Sequence, residues 1–295
     1  MPVLPSQQTL LSIQGLSLTA RKTVDGFLAG LNKSRIKGPG MEFSQYRSYQ
    51  PGDDLRWLDW KMYARSDRYY IRESETETAI SVRFLLDCTR SMLHSGDSLT
   101  KLDYARYLAA CLGYLASKQG DAIGLYSLGG QEIAALPLRR DTQHLNRFFH
   151  ALQQLKAAGS FPPSEAFRNL FTGAPKKELL VFISDFFDEA NGIMALLHTL
   201  AAMGHEILAF HLIAGNELKA RFGGFSRLED LETGEQVEIG DDEMGAVYEK
   251  NLAVHLAHVR TGVLSANIAY QRMQIDEPVE DALRTFLQYR NKSTR

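Results

Sequence analysis

The sequence predicts an α/β protein built on a doubly wound, mostly parallel sheet, and three observations predict it. From Ile80 onward, short apolar runs alternate with amphipathic helical stretches, the pattern of strands covered by helices on both faces. The runs SVRFLL, AIGLYSL, ELLVFI and EILAFHLI are predominantly apolar, as expected of the strands of a mostly parallel sheet. Hydrophobic residues make up 44% and charged residues 23% of the 295, which places the chain among ordinary globular proteins with a full core.

The elements follow in order. Strands are expected at 81–86, 122–128, 178–183 and 206–213, and the Gly129-Gly130 turn makes 131–138 an antiparallel edge strand. Helices are expected at 99–118, 143–157, 164–171 and 191–203. The segment 229–240 alternates around Thr233-Gly234 and reads as a small hairpin ahead of a long helix at 243–263. A strand near 267–271 and a helix opened by Glu277-Pro278 close the domain. Upstream, 9–31 is helical in pattern and Lys37-Gly38-Pro39-Gly40 ends it. We therefore divide the chain into an N-terminal helical and extended segment, 1–78, expected to pack on the core, and the α/β domain, 79–295.

Composition excludes several classes. Two cysteines, Cys88 and Cys111, provide neither a disulfide framework nor a cysteine zinc site, and a reducing cytoplasm suits them. The longest apolar stretch, 108–116, is far short of the ~20 residues of a spanning helix. No basic region precedes the apolar residues of the N-terminus, so no signal peptide is expected and the location is cytoplasmic. There is no glycine-rich phosphate loop of the Walker type. Net charge is −2, against a dedicated nucleic-acid partner. Residues 21–72 carry eleven Lys and Arg against six acids, whose interspersion points to internal ion pairing. Residues 229–243 carry eight acids and no base, a solvated hairpin. His255 and His258, three apart, are expected to be exposed or capping.

The chemistry concentrates where the first core strand ends. Asp87, Thr89 and Ser91 are hard oxygen donors spaced two apart, suited to a small divalent cation such as Mg2+ or Mn2+. Beyond a parallel sheet's carboxyl ends is where ligands collect, and ELLVFIS runs into Asp185 at the same edge if the strands are neighbours. Ser164, after Pro162-Pro163, brings a further hydroxyl there, with Ser160 as the alternative. The plain competing reading is a polar loop whose hydroxyls cap backbone groups.

This order of residues resembles the metal-ion-dependent adhesion site of von Willebrand factor A domains. The resemblance implies a von Willebrand factor A-like fold, Thr89 and Ser91 as direct ligands, and Asp87 and Asp185 acting through water. Thr89 stands for that family's usual Ser, and Ser164 for its second-loop Thr. The upstream pattern Gly38-x-Gly40-Met41-Glu42-Phe43, Arg47-x-Tyr49-x-x-Gly52-Asp53-Asp54-x-Arg56-x-x-Asp59-Trp60-x-x-x-Ala64-Arg65 resembles the prokaryotic family called domain of unknown function 58. That resemblance implies a soluble partner or adaptor of a MoxR-type AAA+ ATPase, acting on a client protein. Within the motif, Asp53, Asp54, Arg56, Asp59 and Arg65 are read as an ion-pair and capping network, Asp53 capping a short helix at 55–65. Trp57 and Trp60 are read as core anchors.

Three functions compete. The first is a non-enzymatic, cation-assisted protein-docking module. The second is a Mg2+-dependent phosphatase of the haloacid dehalogenase type, which needs a second Asp as general acid where this chain has Thr89. The third is a metal-free structural scaffold.

Overall fold

A computed structural model describes residues 7–35, 45–73, 79–96, 99–129, 134–163, 177–188, 191–218, 226–229, 236–239 and 242–293. The chain divides into two compact units, Met1–Phe27 with Ala79–Arg295, and Leu28–Thr78.

The larger unit holds a six-stranded sheet. In chain order its strands are β3 (Ser81–Asp87), β4 (Ala122–Leu128), β5 (Ala135–Arg139), β6 (Leu179–Ser184), β7 (Glu206–Ile213) and β10 (Ala269–Gln274). They lie side by side as β10-β7-β6-β3-β4-β5, parallel except for β5, which pairs antiparallel with β4. The expected sheet is therefore the one observed, with an antiparallel strand at one edge. Apolar runs become central strands because both of their faces are covered: β4 and β6 are buried along their whole length, and β3 after its first residue.

Five helices of this unit cover the sheet: α3 (Lys101–Lys118), α4 (Thr142–Gln154), α5 (Gly192–Ala202), α7 (Asp242–Ser265) and α8 (Glu280–Ser293), with a single turn, α6 (Gly215–Leu218), after β7. Thr100 caps α3 by accepting from the Asp103 amide, and Asp141 caps α4 by accepting from that of His144. α3 is buried nearly all round, because α4 and α8 pack on it from outside the sheet. At Gly113 a Cβ would stand 2.4 Å from the Phe148 ring, so the α3 and α4 backbones approach as only glycine allows. Leu85, Phe182, Phe186, Leu197, Ala209 and Val263 centre one core layer between sheet, α5 and α7. The helical stretch α1 (Gln7–Arg35), kinked at Gly15 (φ 72°), contributes Leu16, Ala20 and Val24 as buried residues, and Thr23 hydrogen-bonds the Tyr107 hydroxyl at 2.7 Å.

Two buried arginine pairs lie at the amino ends of these strands. Arg83 grips Glu178 with two bonds of 2.7 and 2.8 Å, and Arg290 of α8 grips Asp121 with two of 2.7 and 3.0 Å. Each is bidentate and matched in charge.

The smaller unit contains β1 (Gln45–Ser48) paired antiparallel with β2 (Tyr70–Glu73), a 3-10 turn at Leu55–Trp57 and α2 (Trp60–Ser66). Here the expected single helix at 55–65 is two pieces, and the caps differ. Asp54 caps the 3-10 turn and Asp59 caps α2, whereas Asp53 holds Arg47 through bonds of 2.9 Å each and accepts from the Gln50 amide. Of the expected ion-pair and capping network, Asp53, Asp54, Arg56 and Asp59 take part, Asp53 through Arg47, whereas Arg65 is exposed. Trp60 is not a core anchor: it is 63% exposed and meets Tyr63 edge-on, at the end of a stack in which Tyr63 and Tyr69 lie 4.5 Å apart. The side chain of Trp57 lies outside the described residues.

Other differences are of boundary. The acidic segment forms β8 (Ser226–Glu229) and β9 (Gln236–Ile239), an antiparallel pair, and the expected turn between them lies outside the described residues. The expected helix 164–171 lies outside them as well.

Candidate functional site

β3 and β6 are adjacent and in parallel register, so Asp87 and Asp185, each at a strand's carboxyl end, are brought to one edge as expected. Both are 0% exposed. The turn after Asp87 is set by backbone: Cys88 donates to the Leu128 carbonyl at 2.7 Å, and Gly129 passes so close that a Cβ would lie 2.4 Å from the Cys88 carbonyl. The carboxylate of Asp87 is fixed on both oxygens, accepting from the Thr89 amide at 2.9 Å and from the Ser184 hydroxyl at 2.6 Å. Ser184 in turn accepts from the Phe186 amide at 2.9 Å.

The hydroxyls form a relay. Ser91 donates to Asp185 at 3.1 Å and shares a 2.9 Å bond with the Thr89 hydroxyl. Four of the five expected residues, Asp87, Thr89, Ser91 and Asp185, thus form one connected cluster. The fifth, Ser164, lies outside the described residues. The chain leading to it does run beside the cluster, since Ala158 donates to the Cys88 carbonyl at 2.8 Å and the Arg90 amide to the Gly159 carbonyl at 3.0 Å. The alternative, Ser160, is exposed.

Two further residues complete the cluster, and sequence reasoning missed both, as it missed Ser184. Lys101, the first residue of α3, is 1% exposed and donates to Asp185 at 2.9 Å and to Glu217 at 2.6 Å. Glu217, 9% exposed on α6, accepts from the Ala214 amide at 2.7 Å through its other oxygen. A lysine in a helix's first turn, followed by alternating apolar positions, carries no sequence mark of burial; only the adjacency of α3 to the ends of β6 and β7 reveals it.

The electrostatics follow from burial. Asp87 is pushed up to about 7, first by its removal from water and then by the nearby Asp185 charge, against the stabilising bonds from Ser184 and Thr89. Burial works against the Lys101 ammonium, yet Asp185 and Glu217 outweigh it and its pKa rises. Counted as ionised, the three carboxylates exceed the one ammonium by two charges.

An aromatic wall stands beside this cluster. Phe186 has φ of 57°, the left-handed region that a bulky residue adopts only under constraint. That turn sends Phe187 under the Lys101 ammonium, 5.0 Å from its ring, and against His255, stacked at 5.0 Å. His255 of α7 is therefore neither exposed nor capping: it is half-buried, because α7 lays this face over the end of β6. His211 bonds the Tyr270 hydroxyl at 2.8 Å, and burial drives it down to about 3, so both rings are neutral fillers of the wall. Asp188 caps α5 by accepting from the Ile193 amide at 2.9 Å. Cys88 and Cys111 are buried free thiols, and burial pushes Cys88 up to about 12, so thiol chemistry has no place here. Among the described residues no three His, Cys, Asp or Glu form a metal-holding group, so a cation here would depend on the hydroxyls of Thr89 and Ser91.

Residues 45–258 match the family described as protein of unknown function DUF58. The chain belongs to that family. An uncharacterized protein of Mycobacterium tuberculosis is 27% identical over 252 residues, 84% of this chain and 79% of the relative, as is one of Mycobacterium bovis. Similar solved structures include BatB of Bacteroides thetaiotaomicron, at 14% identity and a TM-score of 0.47, covering 72% of this chain and 100% of that one. They also include the SpRpn10 VWA domain, at 10% identity and a TM-score of 0.42, covering 70% and 94%. The α/β architecture with a mostly parallel sheet expected for this DUF58 chain is the one its strands display. No helix among the described residues is long and apolar enough to cross a membrane.

Proposed function

We propose that this protein is a non-enzymatic protein-docking module whose carboxyl-edge cluster takes Mg2+ or Mn2+, and that it acts as partner or adaptor of a MoxR-type AAA+ ATPase. The observation that carries the reading is the convergence of two buried carboxyl groups, Asp87 and Asp185, with the Thr89 and Ser91 hydroxyls at one edge of the sheet. Burial and the Asp185 charge together disfavour the ionised form of Asp87, and a divalent cation bound there would favour it. The donor chemistry fits such a cation, since carboxylate and hydroxyl oxygens suit hard ions.

In this reading Thr89 and Ser91 offer hydroxyl oxygens, while Asp87 and Asp185 hold those hydroxyls in place through Ser184, the Thr89 amide and the Ser91 bond. Mg2+ or Mn2+ would supply a Lewis-acidic position for a carboxylate of the partner. Thr89 supports the non-enzymatic reading, because it gives no proton-donating carboxyl where a dehalogenase-type phosphatase needs one.

The test is capture of a purified MoxR-type AAA+ ATPase on the immobilised protein. Capture is expected with Mg2+ and is expected to fall at least tenfold with Asp87→Ala or Ser91→Ala. Equal capture by wild type and both variants would remove the cation-bridge reading. The metal-free scaffold remains a second reading, favoured by one observation: Lys101 already holds an oxygen of Asp185. A melting temperature unmoved by millimolar Mg2+ or Mn2+ would select it.

A further inference from the structure

Lysine side chains almost always bring their ammonium groups to water. Lys101 does the opposite, burying its ammonium between Asp185 and Glu217 with 1% exposure. Its donors are divided between a residue of the candidate cation site, Asp185, and a residue outside it, Glu217. Glu217 is anchored by the Ala214 amide just after β7 and holds the ammonium with its other oxygen. The Phe187 ring completes the enclosure.

We propose that Lys101 and Glu217 set the strength of the cation site: Lys101 is a fixed internal competitor for the divalent cation, and Glu217 is the counter-charge that relieves the competition. This rests on the reading of the Asp87 cluster as a cation site. A fixed positive charge sharing Asp185 with an incoming cation repels it through a medium that screens poorly. Glu217 offsets that repulsion by taking part of the ammonium's charge for itself. Both residues are positioning residues, because neither is offered as a ligand. The arrangement makes the cation exchangeable rather than permanent, as a docking site that must release its partner requires.

The two residues carry opposite charges, so their removal has opposite effects. In Mn2+ titration calorimetry of the full chain, Lys101→Gln, which keeps an amide donor for both carboxylates, is expected to bind Mn2+ about tenfold or more tightly than wild type. Glu217→Gln is expected to bind it about tenfold more weakly. Near-ultraviolet circular dichroism confirms that each variant is folded. A wild type that binds Mn2+, with both variants at the same affinity or both weaker, overturns the role of Lys101 and leaves the cation site standing. A silent wild type with a binding Lys101→Gln supports strong competition. Silence from wild type and folded Lys101→Gln alike overturns both readings. If Lys101→Gln does not fold, Glu217→Gln decides, and unchanged or tighter binding there overturns the proposal.

Discussion

The two ends of the central sheet bury similar numbers of charged groups and treat them differently. At the amino ends, Arg83 with Glu178 and Arg290 with Asp121 are complete: one cation, one anion, two short bonds each. At the carboxyl ends, Asp185 and Glu217 share a single ammonium while Asp87 is held by the Ser184 hydroxyl and the Thr89 amide, so the bonds that fix the set come largely from hydroxyls and amides. Matched buried pairs hold α8 and β6 to the sheet and call for nothing further. An unmatched set, beside a residue held in the left-handed region, is the contrast on which the proposed cation site rests.

The comparison can be broken most forcefully at the amino end. Arg290→Ala leaves Asp121 buried without its counter-ion and is expected to cost about 3–5 kcal/mol in urea denaturation. That loss should be the same with and without Mn2+. A loss that Mn2+ rescues would mean that the two ends are not independent.

At the carboxyl end, Gly129→Ala forces a Cβ against the Cys88 carbonyl and displaces the Asp87 turn. The expected destabilisation is about 1–3 kcal/mol, accompanied by weaker Mn2+ binding. Normal Mn2+ binding by this variant would show that the turn's position is not what shapes the site.

A smaller effect follows from pH. Asp87 is pushed up to about 7 in the folded chain, so the folded state holds a proton that the unfolded state gives up near the usual carboxylate value. Its favourable contribution is complete below that value and is lost as pH rises through about 7. His211, driven down to about 3, acts in the opposite direction, but only up to the ordinary histidine range. Between pH 6.5 and 8 the wild type without added cation is therefore expected to lose about 1 kcal/mol, read by chemical denaturation, that Asp87→Asn does not lose. A flat wild-type profile would show that Asp87 is ionised throughout and that the surplus charge is already balanced.

Much of this was legible in the sequence. The continuous apolar runs and their helical partners gave the parallel sheet because burial on two faces leaves no alternation to misread. Asp87, Thr89, Ser91 and Asp185 were readable because strand ends in such a sheet share one edge. Lys101, Glu217 and Ser184 were not. Each sits in a segment whose local pattern is ordinary, and each reaches the site only through tertiary adjacency: α3 against β6, α6 after β7, β6 beside β3. Trp60 misled for a related reason, since helical spacing reports a shared face but not whether anything covers it.

The account's central claim is that the carboxyl edge binds one divalent cation through the hydroxyls of Thr89 and Ser91. Electron paramagnetic resonance titration of Mn2+ against the wild type and the Thr89→Val, Ser91→Ala double variant tests it most directly. The prediction is one Mn2+ per chain in the wild type and none in the folded double variant. No bound Mn2+ in the wild type, or the same binding in both proteins, would contradict it.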